Sequence, residues 1–149
     1  MPEYLETTVD KFVFKVATDR HYNTEGLWAQ AAGQRVRIGL SDFLQQRSGD
    51  VAFAEVKPAG TALAAGDEVA VIETIKVNIS LTSPVRGQVS VVNPAMETAP
   101  EAINQDPYGN GWLAEIEATN WDADRARLLD PQAFFTLMKV QAEEEAKKL

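Results

Sequence analysis

The 149-residue sequence predicts a mainly β fold, with small helices in the middle of the chain and helices at its end. Three observations predict it. Apolar and polar residues alternate in short runs bounded by Gly, Pro, Asn and Asp. Residues 67–83 form a run of seventeen with neither Gly nor Pro, and their alternation has the period of a strand. Helix-capping signals stand out at Ser41, Asn120 and Asp130.

In chain order, residues 11–16 alternate, with Phe12, Phe14 and Val16 on one face. Gly33-Gln34 signals a turn, and Arg35-Val36-Arg37-Ile38 then alternates strictly. Ser41 reads as an N-cap, with Asp42 in the first turn and Ser48-Gly49-Asp50 as the stop. Residues 51–56 form the next strand, ended by Lys57-Pro58-Ala59-Gly60. Residues 87–92 form another, ended by Asn93-Pro94. Residues 104–111 carry turn chemistry almost throughout, and Trp112, Ala114 and Ile116 then alternate with Leu113, Glu115 and Glu117. Asn120 caps a helix whose first turn holds Asp122 and Asp124, as a helix dipole favours. Asp130-Pro131 starts the last helix, with Phe134, Leu137, Met138 and Gln141 as its inward stripe. The polar tail at 143–148 is expected to fray. The whole reads as one domain, 1–149, with a helical appendage from about residue 120.

Composition excludes several kinds of function. Apolar residues make up 45% of the chain, enough for a real core. Fourteen Lys and Arg against 22 Asp and Glu give a net charge of −8, which repels phosphate backbones and argues against nucleic-acid binding. Without Cys there is no disulfide, no thiolate catalysis and no sulfur-ligated metal. His21 is the single histidine, so a multi-histidine metal site is excluded too. No catalytic residue and no metal ligand is assigned. No apolar run approaches the ~20 residues of a membrane span. The acidic opening Met1-Pro2-Glu3 lacks the basic start of a secretory signal. A cytoplasmic location is the expectation.

The run at 67–83 is the informative segment. Val69, Val71, Ile75, Val77, Ile79 and Leu81 share one parity; Thr74, Lys76, Asn78, Ser80 and Thr82 share the other. A straight strand of that length reaches roughly 55 Å at ~3.3 Å per residue. A compact chain of this size is only about 40 Å across. The segment must therefore reverse, and its middle lies between Glu73 and Val77, which puts Lys76 at the tip of a hairpin. Once deprotonated, an ε-amine in that position is an acyl acceptor on a four-carbon stem. On spacing alone the commoner role of such a lysine, solubility and edge protection, remains ahead.

The residues around it resemble a known family. Glu73-Thr74-Ile75-Lys76 is similar to the Glu-Ser-Val-Lys lipoyl-attachment motif of glycine cleavage H proteins. Ser83-Pro84-Val85-Arg86-Gly87-Gln88-Val89 resembles their Ser-Pro-Ile-Ser-Gly-Glu-Val, and Asp106-Pro107-Tyr108-Gly109-Asn110-Gly111-Trp112-Leu113 their Asp-Pro-Tyr-Gly-Glu-Gly-Trp-Leu. Trp28, the 38–43 segment and the 49–55 segment fall in the family's order, so the likeness spans roughly residues 28–135. It implies a barrel-sandwich hybrid, the flattened lipoyl/biotinyl-type β-barrel, with C-terminal helices. It also implies a non-catalytic carrier with lipoate in amide linkage on Lys76. Biotin carriers of the same architecture place Met on both sides of the lysine, where this chain has Ile75 and Val77.

The load is read from two departures. In the resembled family a glutamate before the tryptophan and an aspartate four residues after the lysine hold a cationic amine. Here those positions are Leu27 and Ser80. With Glu73-Thr74-Ile75-Lys76-Val77-Asn78 and the 44–50 stretch, the departures resemble the lipoate-binding proteins of the heterodisulfide-reductase-like sulfur oxidation system. That resemblance implies a lipoyl arm shuttling sulfur intermediates between cytoplasmic enzymes. It is favoured here over the H protein of glycine cleavage, which carries the aminomethyl group. The partners implied are a lipoate ligase or transferase, a dihydrolipoamide dehydrogenase-type reductase and a heterodisulfide-reductase-like complex.

Other residues have plainer readings. Glu73 is either read by the lipoylating machinery or ends a strand as solvated charge. His21 is a surface or local structural residue. Asp122, Asp124 and Asp130 serve helix ends rather than a cation. Trp112 and Trp121 pack, and Gly87, Gly109 and Gly111 serve backbone geometry.

Overall fold

The fold is that of a computed structural model, which describes residues 3–148. Met1, Pro2 and Leu149, the first two belonging to the acidic opening noted above, lie outside the described residues. The first half runs β1 (Tyr4–Val9), β2 (Phe12–Ala17), β3 (His21–Tyr22), β4 (Leu27–Ala32), β5 (Arg35–Leu40), α1 (Asp42–Ser48) and β6 (Val51–Val56). Then come β7 (Ala62–Leu63), β8 (Glu68–Thr74), β9 (Asn78–Thr82) and β10 (Gly87–Val92). The chain ends with α2 (Ala95–Thr98), α3 (Ala102–Gln105), β11 (Ala114–Ala118), α4 (Trp121–Arg125) and α5 (Pro131–Lys147).

The fold is mainly β, as the alternation predicts. Its strands form a six-stranded sheet in the order β3-β4-β5-β11-β10-β7, a three-stranded sheet β6-β8-β9 and the hairpin β1-β2. The expected flattened barrel is thus realised as separate sheets that share a core and do not close into one barrel. Ala29, Ile38 and Ile116 of the larger sheet bury against Val69, Ile72 and Leu81 of the smaller. A second core lies on the other side of the large sheet. There Phe14, Tyr22, Trp28, Phe43, Phe134 and Met138 join the hairpin, α1 and α5. Tyr22 stacks on Phe134 at 4.4 Å, and the Trp28 indole N–H donates to the Pro107 carbonyl at 2.9 Å.

The two cores explain β4. Leu27 and Ala29 face one, Trp28 the other, and all three are fully buried. A strand covered on both faces has no period-2 signal, and its alanines are weak strand formers. Sequence reading accordingly found the Gly33-Gln34 turn and β5 but not β4.

The helix caps fall where the polar residues predict. The Ser41 hydroxyl accepts from the Leu44 N–H, Asn120 from the Ala123 N–H and Asp130 from the Ala133 N–H. The last helix differs from expectation. The tail at 143–148, expected to fray, is helical as far as Lys147. The inward stripe is Phe134, Met138 and Ala142, a strict i, i+4 ladder that carries the helix along the hairpin β1-β2 to the end of α1. There Glu145 pairs with Arg47 at 2.6 Å.

Gly87 is required for space: a Cβ there would lie 2.1 Å from the Glu117 carbonyl oxygen of the adjacent strand. Asp124 does more than sit in a first turn. Its buried carboxylate accepts from the Arg86 N–H at 2.8 Å and the Arg86 guanidinium at 3.0 Å, and pairs with Arg127. Burial pushes this carboxyl up, but the Arg86 N–H and the two guanidiniums outweigh it and hold it below the usual carboxylate range. Asp124→Asn should therefore cost about 2 kcal/mol in chemical denaturation at neutral pH. A group with a lowered folded value contributes fully above the unfolded carboxylate range and loses its contribution as pH falls through the folded value. The gap between wild type and variant should therefore close below about pH 4.

Candidate functional site

The run at 67–83 reverses as its length requires. β8 and β9 pair in antiparallel register, Glu73 opposite Asn78, and the chain turns through Ile75 and Lys76. The parity read from sequence holds on β9, where Ile79 and Leu81 face the core. It breaks on β8, where a register shift between Glu68 and Ala70 places Val69, Ala70 and Ile72 inward. Ile75 and Val77, assigned by parity to the apolar face, are 77% and 45% exposed beside Lys76.

Thr74 sets the turn. Its main-chain N–H donates to the Val77 carbonyl at 2.8 Å. Its hydroxyl oxygen accepts from the N–H groups of Lys76 at 3.2 Å and Val77 at 3.0 Å, and donates to the Val77 carbonyl at 3.0 Å. One short side chain thus satisfies donors that the tight reversal would otherwise leave to water.

The tip is also tied from below. The Ile75 N–H donates to the Asp50 carbonyl at 3.2 Å. Asn104 pins that loop: its amide donates to the Gly49 carbonyl at 3.0 Å and its oxygen accepts from the Val51 N–H at 2.9 Å. Gly49 ends α1 at φ +91, a value that L side chains rarely adopt, and a Cβ there would lie 3.4 Å from Cδ and Cε of Lys76. The lysine stem lies on the bare glycine. Sequence reading missed both Thr74 and Asn104 as supports. For Thr74 the signal was a hydroxyl two residues before an exposed lysine; Asn104 was hidden among other turn-forming residues.

Lys76 itself is exposed, and none of the ion pairs among the described residues uses it. Its stem lines a cavity of about 270 Å³ between the hairpin β1-β2, α1 and α5, with Phe12, Phe14, Phe43 and Ala142 on the walls. An exposed amine on a turn held by Thr74 and Asp50, outside the ion pairs of the described residues, fits acylation by a lipoyl group.

The two departing positions are both occupied by other work. Leu27 is fully buried opposite Leu40, and the Ser80 hydroxyl donates to Glu68 at 2.6 Å. Neither lines the cavity beside Lys76. The nearby Glu25 carboxylate accepts from the N–H and hydroxyl of Thr82. Glu73 is exposed on the strand edge of the turn. His21 packs edge-on against Trp121 at 5.9 Å, and burial lowers its pKa. Trp112 lies under the Arg37 guanidinium at 4.3 Å. Among the described residues no group of three His, Asp or Glu is placed to hold a metal ion, and no helix is long and apolar enough to cross a membrane.

If the Thr74 hydroxyl holds the turn, Thr74→Val should destabilise the chain by about 1–3 kcal/mol, while Thr74→Ser should stay within about 1 kcal/mol of wild type. Urea unfolding of the three proteins tests this.

Residues 20–141 match the family "Glycine cleavage H-protein". The probable glycine cleavage system H protein of Natronomonas pharaonis is 43% identical over 109 residues, covering 73% of this chain and 86% of that protein. The glycine cleavage system H protein of Carboxydothermus hydrogenoformans is 35% identical over 128 residues, covering 86% and 98%. Among solved structures, the glycine cleavage system H protein of Mycobacterium marinum superposes with a TM-score of 0.72 at 28% identity, covering 78% of this chain and 94% of that one. The chain belongs to the glycine cleavage H-protein family, whose members are non-catalytic carriers with lipoate held covalently on a lysine.

Proposed function

We propose that Lys76 is the lysine that bears lipoate and that this chain carries a load on that arm between partner enzymes. The observation that carries the reading is the position of Lys76: exposed, without an ion-pair partner among the described residues, on a turn fixed by Thr74 and Asp50. Attachment is an acyl transfer. The deprotonated amine attacks an activated lipoyl carbonyl, the amide C–N bond forms, and the activating group leaves with its electron pair. The proton passes to a base on the ligase or transferase. Once attached, the group supplies a disulfide that opens on two-electron reduction, a chemistry the cysteine-free chain does not have. Lys76, Gly49 and Thr74 fix where the arm begins.

The names of the relatives support glycine cleavage, with the aminomethyl group as load and the enzymes of that system and a dihydrolipoamide dehydrogenase-type reductase as partners. This is the better supported of the two loads and reverses the preference drawn from sequence. One specific observation keeps the second reading, a sulfur-bearing load passed to a heterodisulfide-reductase-like complex. Leu27 is built into the core and Ser80 is bonded to Glu68, so neither position offers a carboxylate to a cationic amine. The carrier role accords with a cytoplasmic setting.

Intact-mass measurement after incubation with a lipoate ligase, lipoate and ATP should show one added lipoyl group on wild type and none on Lys76→Arg. An unmodified wild type would reject the assignment. Lipoylated protein should then support exchange of the glycine carboxyl carbon with bicarbonate by glycine decarboxylase. A fully lipoylated chain that supports no exchange would move the load to the sulfur reading.

A further inference from the structure

We propose that Asp42, Gln45 and Asn104 are positioning residues for the acylation of Lys76: a one-way chain of hydrogen bonds through their side chains sets the turn that presents the amine. The proposal rests on Lys76 bearing lipoate.

The turn has little to hold it from outside. Among the described residues, the Ile75 N–H donating to the Asp50 carbonyl at 3.2 Å is the one hydrogen bond that ties residues 75–77 to the chain beyond the hairpin β8-β9. Its worth depends on where the Asp50 carbonyl lies, and the strand ladder does not fix that. Asp50 precedes β6, and the pairing of β6 with β8 shifts register between Val51 and Phe53. Asn104 grips the two residues that flank Asp50 instead. Its amide donates to the Gly49 carbonyl at 3.0 Å, and its oxygen accepts from the Val51 N–H at 2.9 Å.

Asn104 is itself held. Its amide also donates to the Gln45 side-chain oxygen at 3.1 Å, and the Gln45 amide donates to the Asp42 carboxylate at 2.9 Å. This chain can run only one way. The Val51 N–H only donates, so the Asn104 oxygen faces it; an ionised carboxylate only accepts, so the Gln45 nitrogen faces Asp42. With both ends fixed, flipping either amide sets donor against donor or acceptor against acceptor. Gln45 is 9% exposed, so bulk water does not relieve such a mismatch. Asp42 also accepts from the Lys15 N–H of β2 at 2.9 Å, which anchors the far end of the chain in the hairpin β1-β2. Among the described residues none of the three side chains hydrogen-bonds to Lys76, so they act on it through the Asp50 carbonyl and the turn.

A lipoate ligase must bring Nζ against an activated carbonyl, so it acts on the fraction of chains whose turn is set. When that fraction falls, the affinity for the chain falls in proportion, while the step within the bound complex is unchanged. Loosening the hydrogen-bonded chain therefore raises KM and spares kcat.

The test uses the full, unlipoylated chain as the varied substrate of a lipoate ligase with saturating lipoate and ATP, the product being counted by intact mass. Gln45→Met keeps the length of the side chain and removes both of its hydrogen bonds; Asn104→Leu removes all three at that position. Neither changes the net charge. Each should raise KM about three- to tenfold and leave kcat within about twofold of wild type. Asp124→Asn, which weakens the fold through Arg86 and Arg127, should keep the wild-type KM. An unchanged KM in the folded variants, or one raised equally by Asp124→Asn, overturns the proposal. Hydrogen exchange on the wild-type chain gives a reading that needs no variant to fold. The Ile75 and Val51 amides should both exchange at least about tenfold more slowly than unstructured amides, and an Ile75 amide that exchanges freely overturns the proposal as well. A wild type that gains no lipoyl mass is a separate failure, that of the Lys76 assignment.

Discussion

The constraint on which the rest depends is the reversal at Thr74–Val77. A chain that turns through two residues leaves main-chain N–H groups pointing inward with no strand partner, and unsatisfied donors are costly. Thr74 resolves this with one oxygen, which accepts from the N–H groups of Lys76 and Val77. The consequence reaches the site directly. With its own N–H fixed and its stem lying on Gly49, Lys76 has a defined origin and direction while its end remains free. A carrier needs that combination, because a fixed origin limits the volume an arm must search and a free end lets it serve several enzymes.

The support for this turn comes from distant segments. Asn104, in a short helix far along the chain, holds the Gly49–Val51 loop, and the Asp50 carbonyl in that loop holds the turn. This is why the site was only half legible in the sequence. Lys76 could be found by arithmetic, because seventeen residues of strand exceed the width of the fold. Asn104 could not, since an asparagine among Gln105, Asp106 and Pro107 reads as turn chemistry whether or not its amide reaches another loop. β4 was illegible for a different reason, being buried on both faces, and the bulge in β8 reversed a parity that alternation alone carried through unbroken.

The terminal segments were misjudged for a third reason. A run of Glu143-Glu144-Glu145 has the composition of a solvated helix end, and that is what frays in isolation. What holds it is geometry that composition does not report. Phe134, Met138 and Ala142 continue one stripe at every fourth residue, and Glu145 falls one turn beyond to meet Arg47. Such an exposed pair contributes little by itself. Its value lies in arriving on a helix already docked by buried Phe134 and Met138, so that little further entropy is lost in forming it.

The same reasoning bears on Leu27. Reading the sequence against the family treats this position as a lost charge, but the fold treats it as core. The side chain is wholly buried, paired across the sheet with Leu40 and packed in the cluster that joins the two sheets. A carboxylate here would have to be stripped of water in an apolar cluster, a cost of several kcal/mol that a carrier of this size could not spare. The change from carboxylate to leucine is therefore not one that a single reversal would undo: the fold relies on the apolar residue. A chain committed in this way offers no carboxylate to a cation at position 27.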